Sequence, residues 1–137
     1  MLHENPYTGR QALDEPSIAV WESGNEFSGA PAAWTAGLVE KMKGVDPNHL
    51  WMDGNNGVIA SSLLSPSVDV YSTHYYPANA AALLADAATV AAQGKVFING
   101  EFGWTGVNVN ASAFLDDVVR DTNVTGSLFW CVEVTSP

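Results

Sequence analysis

Five short, continuous apolar runs punctuate this chain, and each is followed by polar or glycine-rich residues and then by a longer segment. Continuous rather than alternating apolar runs are typical of strands buried on both faces of a parallel sheet. About 20 to 30 residues separate successive runs, so each connection has the length of a right-handed parallel crossover. The predicted strands are Ile18–Trp21, Leu50–Asp53, Val68–Ser72, Val96–Asn99 and Ser127–Val132. The pattern predicts an α/β protein.

Three of the intervening segments have helical periodicity, and they cover Pro31–Lys43, Ala78–Gln93 and Ala111–Thr122. Asn110 is predicted to cap the third helix at its N-terminus. The residues predicted to face the sheet are Trp34, Leu38 and Met42 in the first helix, and Phe114, Leu115, Val118 and Val119 in the third. The chain therefore consists of repeated β/α units.

Two architectures accommodate such repeats, namely an open doubly wound sheet and a (β/α)8 barrel. An open nucleotide-binding sheet normally has a glycine-rich phosphate loop after its first strand, and the sequence contains no such motif. A complete barrel takes roughly 250 residues. If the chain is a barrel, its 137 residues form only a part of one.

The charge balance argues against two classes of partner. The chain has 15 acidic and 5 basic side chains and a formal net charge of −10, which disfavours binding to nucleic acid or to an anionic membrane surface. The sequence also has no export signal at its start and no apolar stretch of about 20 residues. A single cysteine, Cys131, cannot form an internal disulfide.

Polar residues collect at the predicted C-terminal ends of the strands, which converge on one face of a parallel barrel. Two of them, Glu26 and Glu101, follow different strands. Cleavage of a glycosidic bond needs a proton for the leaving oxygen and negative charge beside the developing oxocarbenium carbon, and two carboxyl groups can supply both. We therefore expect Glu26 and Glu101 to form a catalytic pair.

Neighbouring residues fit the same chemistry. The Asn25 amide could bind a sugar hydroxyl, and the indole rings of Trp104 and Trp130 could stack on a pyranose. The phenol of Tyr76 and the imidazole of His74 could orient a carboxylate. No metal and no cofactor is expected, because the two carboxylates supply acid, base and nucleophile. No other ligand-type residue lies at a recognised metal-binding spacing from His74 in the sequence, so it is interpreted as structural. Glu22, earlier on the same strand as Glu26, is interpreted in the same way.

Taken in order, these segments resemble the C-terminal part of glycoside hydrolase family 5 enzymes, in particular the fungal endo-β-1,4-mannanase-like group of clan A. The motifs that carry the resemblance span nearly the whole chain: Asn5-Pro6-Tyr7-Thr8-Gly9, Asp14-Glu15-Pro16-Ser17-Ile18, Val20-Trp21-Glu22-Ser23-Gly24-Asn25-Glu26, Asp46-Pro47-Asn48-His49-Leu50, Asp53-Gly54, Ser72-Thr73-His74-Tyr75-Tyr76-Pro77, Gly100-Glu101-Phe102-Gly103 and Gly126-Ser127-Leu128-Phe129-Trp130.

The resemblance implies a partial (β/α)8 TIM barrel containing strands four to eight, so residues 1–137 would be a single incomplete catalytic domain. It also implies a retaining mechanism, with Glu26 as the acid/base and Glu101 as the nucleophile. Asn25 resembles the amide that binds the 2-hydroxyl, His74 and Tyr76 the pair that orients the nucleophile, and Trp130 the platform under the glycone. Retention predicts a separation of about 5 to 5.5 Å between the two carboxyl groups.

The expected partner is a β-linked polysaccharide or oligosaccharide, with β-1,4-mannan favoured over β-glucan. Two other hypotheses stay open: a non-catalytic carbohydrate-binding remnant, and a fragment that does not fold independently. A partial barrel leaves two sheet edges open, which favours self-association. The full-length parent is expected to be extracellular, an expectation that two glycosylation triplets, at Asn110 and Asn123, support weakly.

Overall fold

The structure, a computed structural model, describes residues 15–28, 32–60, 62–103 and 110–130. Strands and helices alternate along it in eight elements. Their order is β1 (Val20–Glu22), α1 (Ala32–Val45), β2 (Leu50–Met52), β3 (Val70–Tyr75), α2 (Ala80–Ala91), β4 (Val96–Phe102), α3 (Ala111–Arg120) and β5 (Val124–Phe129). All five predicted strands and all three predicted helices are present, with shifted ends.

The five strands form one parallel sheet in the order β1-β2-β3-β4-β5, so each strand pairs with its neighbour in sequence. This order excludes a doubly wound sheet, in which the strand order reverses, and gives a partial (β/α)8 barrel. The predicted fold class is therefore confirmed. The sheet also places the carboxyl ends of all five strands on one face, as the site prediction requires.

The core lies between the sheet and its helices. Tyr71 and Phe97 are fully buried on β3 and β4, and they pack with Leu83, Ala87 and Val90 of α2. The predicted continuous apolar character of α2 explains this arrangement, because small alanines let a helix lie close to a sheet. Both N-cap asparagines act as expected from their chemistry: the Asn79 side chain accepts from Ala82 N at 3.1 Å, and that of Asn110 accepts from Ala113 N at 3.1 Å. The predicted cap of α3 is thus confirmed.

Two predicted buried faces are partly wrong. In α1, Thr35 and Val39 are buried whereas Trp34 is 53% exposed, because the helix turns Thr35 and Val39 inwards and leaves Trp34 in a T-shaped contact with the Phe27 ring. In α3, the buried residues are Phe114 and Val118. The other two predicted core residues of α3, Leu115 and Val119, are 43% and 82% exposed and line an apolar groove between α3 and the outer strand β5.

A pair of backbone hydrogen bonds joins the loops that follow β1 and β2. Phe27 N donates to Gly54 O at 2.8 Å, and Asn56 N donates to Phe27 O at 3.1 Å, so that Phe27 and Asn55 form an isolated parallel bridge. The two loops are closely packed, because a Cβ placed on Gly54 would lie 1.9 Å from Gly24 O. This bridge fixes the chain immediately after Glu26.

Candidate active site

Glu26 occupies an unusual backbone position. It is the one non-glycine residue in the described part of the chain with a left-handed backbone, at φ 50°. Such a conformation costs a non-glycine residue of order 1 kcal/mol and persists where surrounding contacts impose it. The Phe27–Asn55 bridge supplies those contacts and directs the Glu26 side chain towards β3.

His74 on β3 links the two carboxylates of the predicted pair. Its Nδ1 lies 2.8 Å from Glu26 Oε1 and 3.6 Å from Glu101 Oε2. The His74 side chain is only 9% exposed, whereas the Glu26 side chain is 43% exposed. The Tyr76 hydroxyl donates to the same Glu101 Oε2 at 2.7 Å. Side chains from the ends of three strands therefore converge on one small region, with the imidazole between two acids.

Two glycines on β4 and after it allow this close packing. A Cβ at Gly100 would lie 2.3 Å from Ser72 Oγ and 2.9 Å from His74 Nε2, and one at Gly103 would lie 2.8 Å from the Tyr76 ring. Any other residue at either position would push His74 or Tyr76 away from Glu101. The predicted motif Gly100-Glu101-Phe102-Gly103 thus has a steric reason for each of its glycines.

A buried amide holds the backbone under Glu101. In the orientation that satisfies all of its partners, the Asn99 amide nitrogen donates to Thr73 O at 3.2 Å and Glu101 O at 2.8 Å, while its oxygen accepts from Ser127 Oγ at 2.8 Å. This residue joins three strands at a point where the β3–β4 and β4–β5 registers shift. Asn99 therefore positions Glu101, a role that the sequence prediction missed.

A cavity of about 520 Å³ on the inner face of the sheet adjoins this region, and His74 and Glu101 line it whereas Glu26 and Tyr76 do not. Four of the predicted site residues contribute to its wall, namely Asn25, His74, Glu101 and Trp130. Trp130 is 59% exposed, so much of its side chain is accessible to a ligand. The predicted Trp104 lies outside the described residues.

Glu22 also lines this cavity, although the sequence interpretation treated it as structural. Partial burial raises the pKa of Glu22, the neighbouring His74 opposes that effect, and the negative charge of Glu101 adds to it. The missed signal was the strand alternation: Val20 and Glu22 are two residues apart, so they point to the same side of β1.

A fully buried carboxyl group lies just after the end of β2. Asp53 is 1% exposed and accepts from Asn55 Nδ2 at 2.7 Å and from Ser62 Oγ at 3.4 Å. Burial raises the pKa of Asp53 to about 6, against the opposing effect of these hydrogen bonds. Asp53 supports the loop of Asn55, which in turn pairs with Phe27 beside Glu26.

Comparison with solved structures identifies the same architecture in known enzymes. The chain is similar to the hyperthermostable endo-1,4-β-D-mannanase of Thermotoga petrophila RKU-1, at 23% identity and a TM-score of 0.73, over 93% of this chain and 49% of that one. It is also similar to a glycoside hydrolase family 5 mannosidase of Rhizomucor miehei, at 19% identity and a TM-score of 0.66, over 93% of this chain and 42% of that one. A β-D-glucuronidase of Dictyoglomus thermophilum matches at 17% identity and a TM-score of 0.62, over 84% of this chain and 25% of that one.

These similarities define the fold as that of family 5 mannanases and related TIM-barrel glycoside hydrolases. The chain spans about half the length, or less, of the solved structures that it matches. No protein-family model and no curated protein matches the sequence. Among the described residues, none of the helices is both long and apolar enough to span a membrane.

Proposed function

We propose that this chain carries the catalytic residues of a retaining glycosidase that acts on β-linked polysaccharide, with β-1,4-mannan as the favoured substrate. The observation that supports it most is the convergence of Glu26 and Glu101: one oxygen of each carboxylate and one ring nitrogen of His74 all lie within 4.8 Å of one another. Carboxyl groups about 5 to 5.5 Å apart are typical of retaining enzymes, whereas inverting enzymes leave about 6.5 to 9.5 Å for a water molecule.

In the proposed mechanism, Glu101 attacks the anomeric carbon while Glu26 donates a proton to the leaving glycosidic oxygen. The Glu101 carboxylate oxygen forms a covalent bond to the sugar as the glycosidic bond breaks. Glu26 then removes a proton from water, which attacks the anomeric carbon and releases Glu101. His74 and Tyr76 are positioning residues here, because both contact the Glu101 carboxylate.

The wall of the cavity suits a sugar substrate. Asn25, next to Glu26, is the proposed partner of the 2-hydroxyl, and the exposed face of Trp130 is the proposed stacking surface for the ring. A polymeric substrate also fits an extracellular parent protein. The favoured sugar, mannose, rests on the motif resemblance and on the mannanases among the similar structures.

Reducing-end release from β-mannan and β-glucan is the first test, made with this chain alone and with this chain joined to the N-terminal part of a family 5 mannanase. We expect mannan hydrolysis that is abolished in Glu101→Ala, with unchanged activity in the matched control Glu40→Ala on the exposed side of α1. If only the extended protein is active, the site residues are right but need further β/α units. Equal activity in Glu101→Ala would refute the proposal.

The two carboxylates can be distinguished by azide rescue with an aryl β-mannoside. In Glu26→Ala, azide should attack the covalent intermediate and give a β-mannosyl azide, because two displacements retain configuration. In Glu101→Ala, azide should replace the nucleophile and give the α-product by a single displacement. The reverse pattern would exchange the assigned roles of Glu26 and Glu101.

A non-catalytic carbohydrate-binding function is the second candidate, and the exposure of Trp130 and Tyr76 beside the cavity favours it. A binding protein would retain mannan-oligosaccharide affinity in Glu101→Ala while showing no turnover in any form. Light scattering of the same samples would test the expected self-association through the outer strands β1 and β5.

A further inference from the structure

The region between the carboxylates contains a set of ligand atoms that are typical of a metal site. Glu26, His74 and Glu101 each offer one atom, and these atoms lie within 4.8 Å of one another. No sequence spacing revealed this set, because its members come from three separate strand ends. Imidazole nitrogen and carboxylate oxygen are both zinc ligands, and three protein ligands leave the fourth position of a tetrahedral site open.

The distances are close to those that a bound ion requires. Zinc–ligand bonds of about 2.0 to 2.2 Å in a tetrahedron separate neighbouring ligand atoms by about 3.4 Å. The observed separations from His74 Nδ1 are 2.8 Å to Glu26 and 3.6 Å to Glu101. His74 is held on β3, whereas the Glu26 side chain is nearly half exposed and can move by the small distance needed.

The charge of this region also favours a cation. Two carboxylates provide a formal charge of −2 for a dication. Glu22 lines the adjoining cavity and adds to the negative field.

We propose that Glu26, His74 and Glu101 bind one divalent transition-metal ion of the Zn²⁺ class, and that the bound ion blocks the carboxylate pair. The blocking part rests on the proposed glycosidase function, since the ion would occupy both the acid/base and the nucleophile. A set of three ligands including nitrogen disfavours Mg²⁺ and Ca²⁺, which require six or more ligands, mostly oxygen. The ion would thus be an inhibitor and not a cofactor.

Calorimetric titration of ZnCl2 into the full 137-residue chain at pH 7.5 tests the binding. A Cys131→Ser background removes the one thiol that could bind zinc elsewhere. We expect one equivalent of Zn²⁺ to bind, at least about 10-fold more weakly in both His74→Gln and Glu101→Gln, since each variant loses a ligand. Glu40→Gln on the exposed side of α1 should bind as the parent does, and MgCl2 should give no saturable binding.

The two substitutions protect the test against a folding artefact. Far-ultraviolet circular dichroism is recorded for each, and Glu101→Gln replaces a carboxylate by a group of the same shape. Unchanged affinity in a folded Glu101→Gln or His74→Gln variant would overturn the proposal. Absence of saturable Zn²⁺ binding by the folded parent would do the same.

Hydrolysis of β-mannan at increasing Zn²⁺ separates this inference from the proposed function. Mannan hydrolysis that decreases as the calorimetrically determined Zn²⁺ occupancy increases supports both the metal site and the glycosidase. Saturable binding at this site by a protein without any turnover would refute the glycosidase while supporting the metal site. Full activity at saturating Zn²⁺ would refute the blocking ion and leave the glycosidase standing.

Discussion

Asp53 should make the stability of this protein decrease as the pH rises from acid to neutral. Burial raises its pKa from 3.8 to about 6, so the folded state favours the neutral acid more than the unfolded state does. The resulting stabilisation is fully present below pH 3.8 and is lost as the pH rises through about 6. The difference between the two pKa values corresponds to about 3 kcal/mol in the free energy of unfolding.

Asp53→Asn removes this titration while keeping an oxygen to accept from Asn55. The free energies of unfolding of parent and variant are measured by urea denaturation, followed by tryptophan fluorescence, between pH 3.5 and 7.5. We expect the variant to gain about 3 kcal/mol relative to the parent across that range. Titrating groups that do not interact with Asp53, such as Asp46, are present in both proteins, so their contributions cancel in the difference.

The test concerns how the difference in unfolding free energy between parent and variant changes with pH. A pH-independent cost of replacing the acid by an amide therefore does not affect it. Asp117→Asn on the exposed side of α3 is the matched control, and its difference from the parent should stay constant with pH. If Asp53→Asn also gives a pH-independent difference, Asp53 is not buried as an acid with a raised pKa, and the reasoning is wrong.

Two further perturbations address the packing around Glu101. Tyr76→Phe removes the 2.7 Å hydrogen bond to Glu101 and should lower kcat/KM for mannan about 10-fold, with little change in unfolding; equal kcat/KM would contradict the positioning role. Gly100→Ala places a Cβ 2.3 Å from Ser72 Oγ and should cost about 1 to 3 kcal/mol in urea unfolding. Gly37→Ala in α1 is the control: a Cβ there meets nothing within 4 Å, so this substitution should stabilise the protein by up to about 1 kcal/mol. A Gly100→Ala variant as stable as the parent would disprove the steric argument.

The strands were predictable because burial on both faces leaves continuous apolar runs, but their ends were not. The apolar run at Val68–Ser72 predicted a strand that stops before His74, whereas β3 continues to Tyr75. Backbone pairing with β4 extends it, and this pairing does not depend on apolar side chains. Similarly, β5 begins at Val124, three residues earlier than predicted, because an outer strand tolerates polar residues such as Thr125.

The carboxylate pair was predictable because the C-terminal ends of parallel strands must share one face. Its surroundings were not, since they depend on distances between elements. The apolar stripe of α3 included Leu115 and Val119, but periodicity does not reveal whether a neighbour covers them. Asn99 was missed for a related reason: its partners lie on other strands, outside any local motif.

The bridge between Phe27 and Asn55 makes the lengths of two loops interdependent. One residue inserted or deleted between Glu22 and Phe27, or between Asp53 and Asn56, would break the reciprocal hydrogen bonds and release Glu26 from its left-handed backbone. The turn at Gly94, which joins α2 to β4 on the opposite end of the sheet, is free of this constraint. Variation in chain length among proteins of this architecture should therefore spare the first two strand ends and accumulate at the helix-to-strand turns.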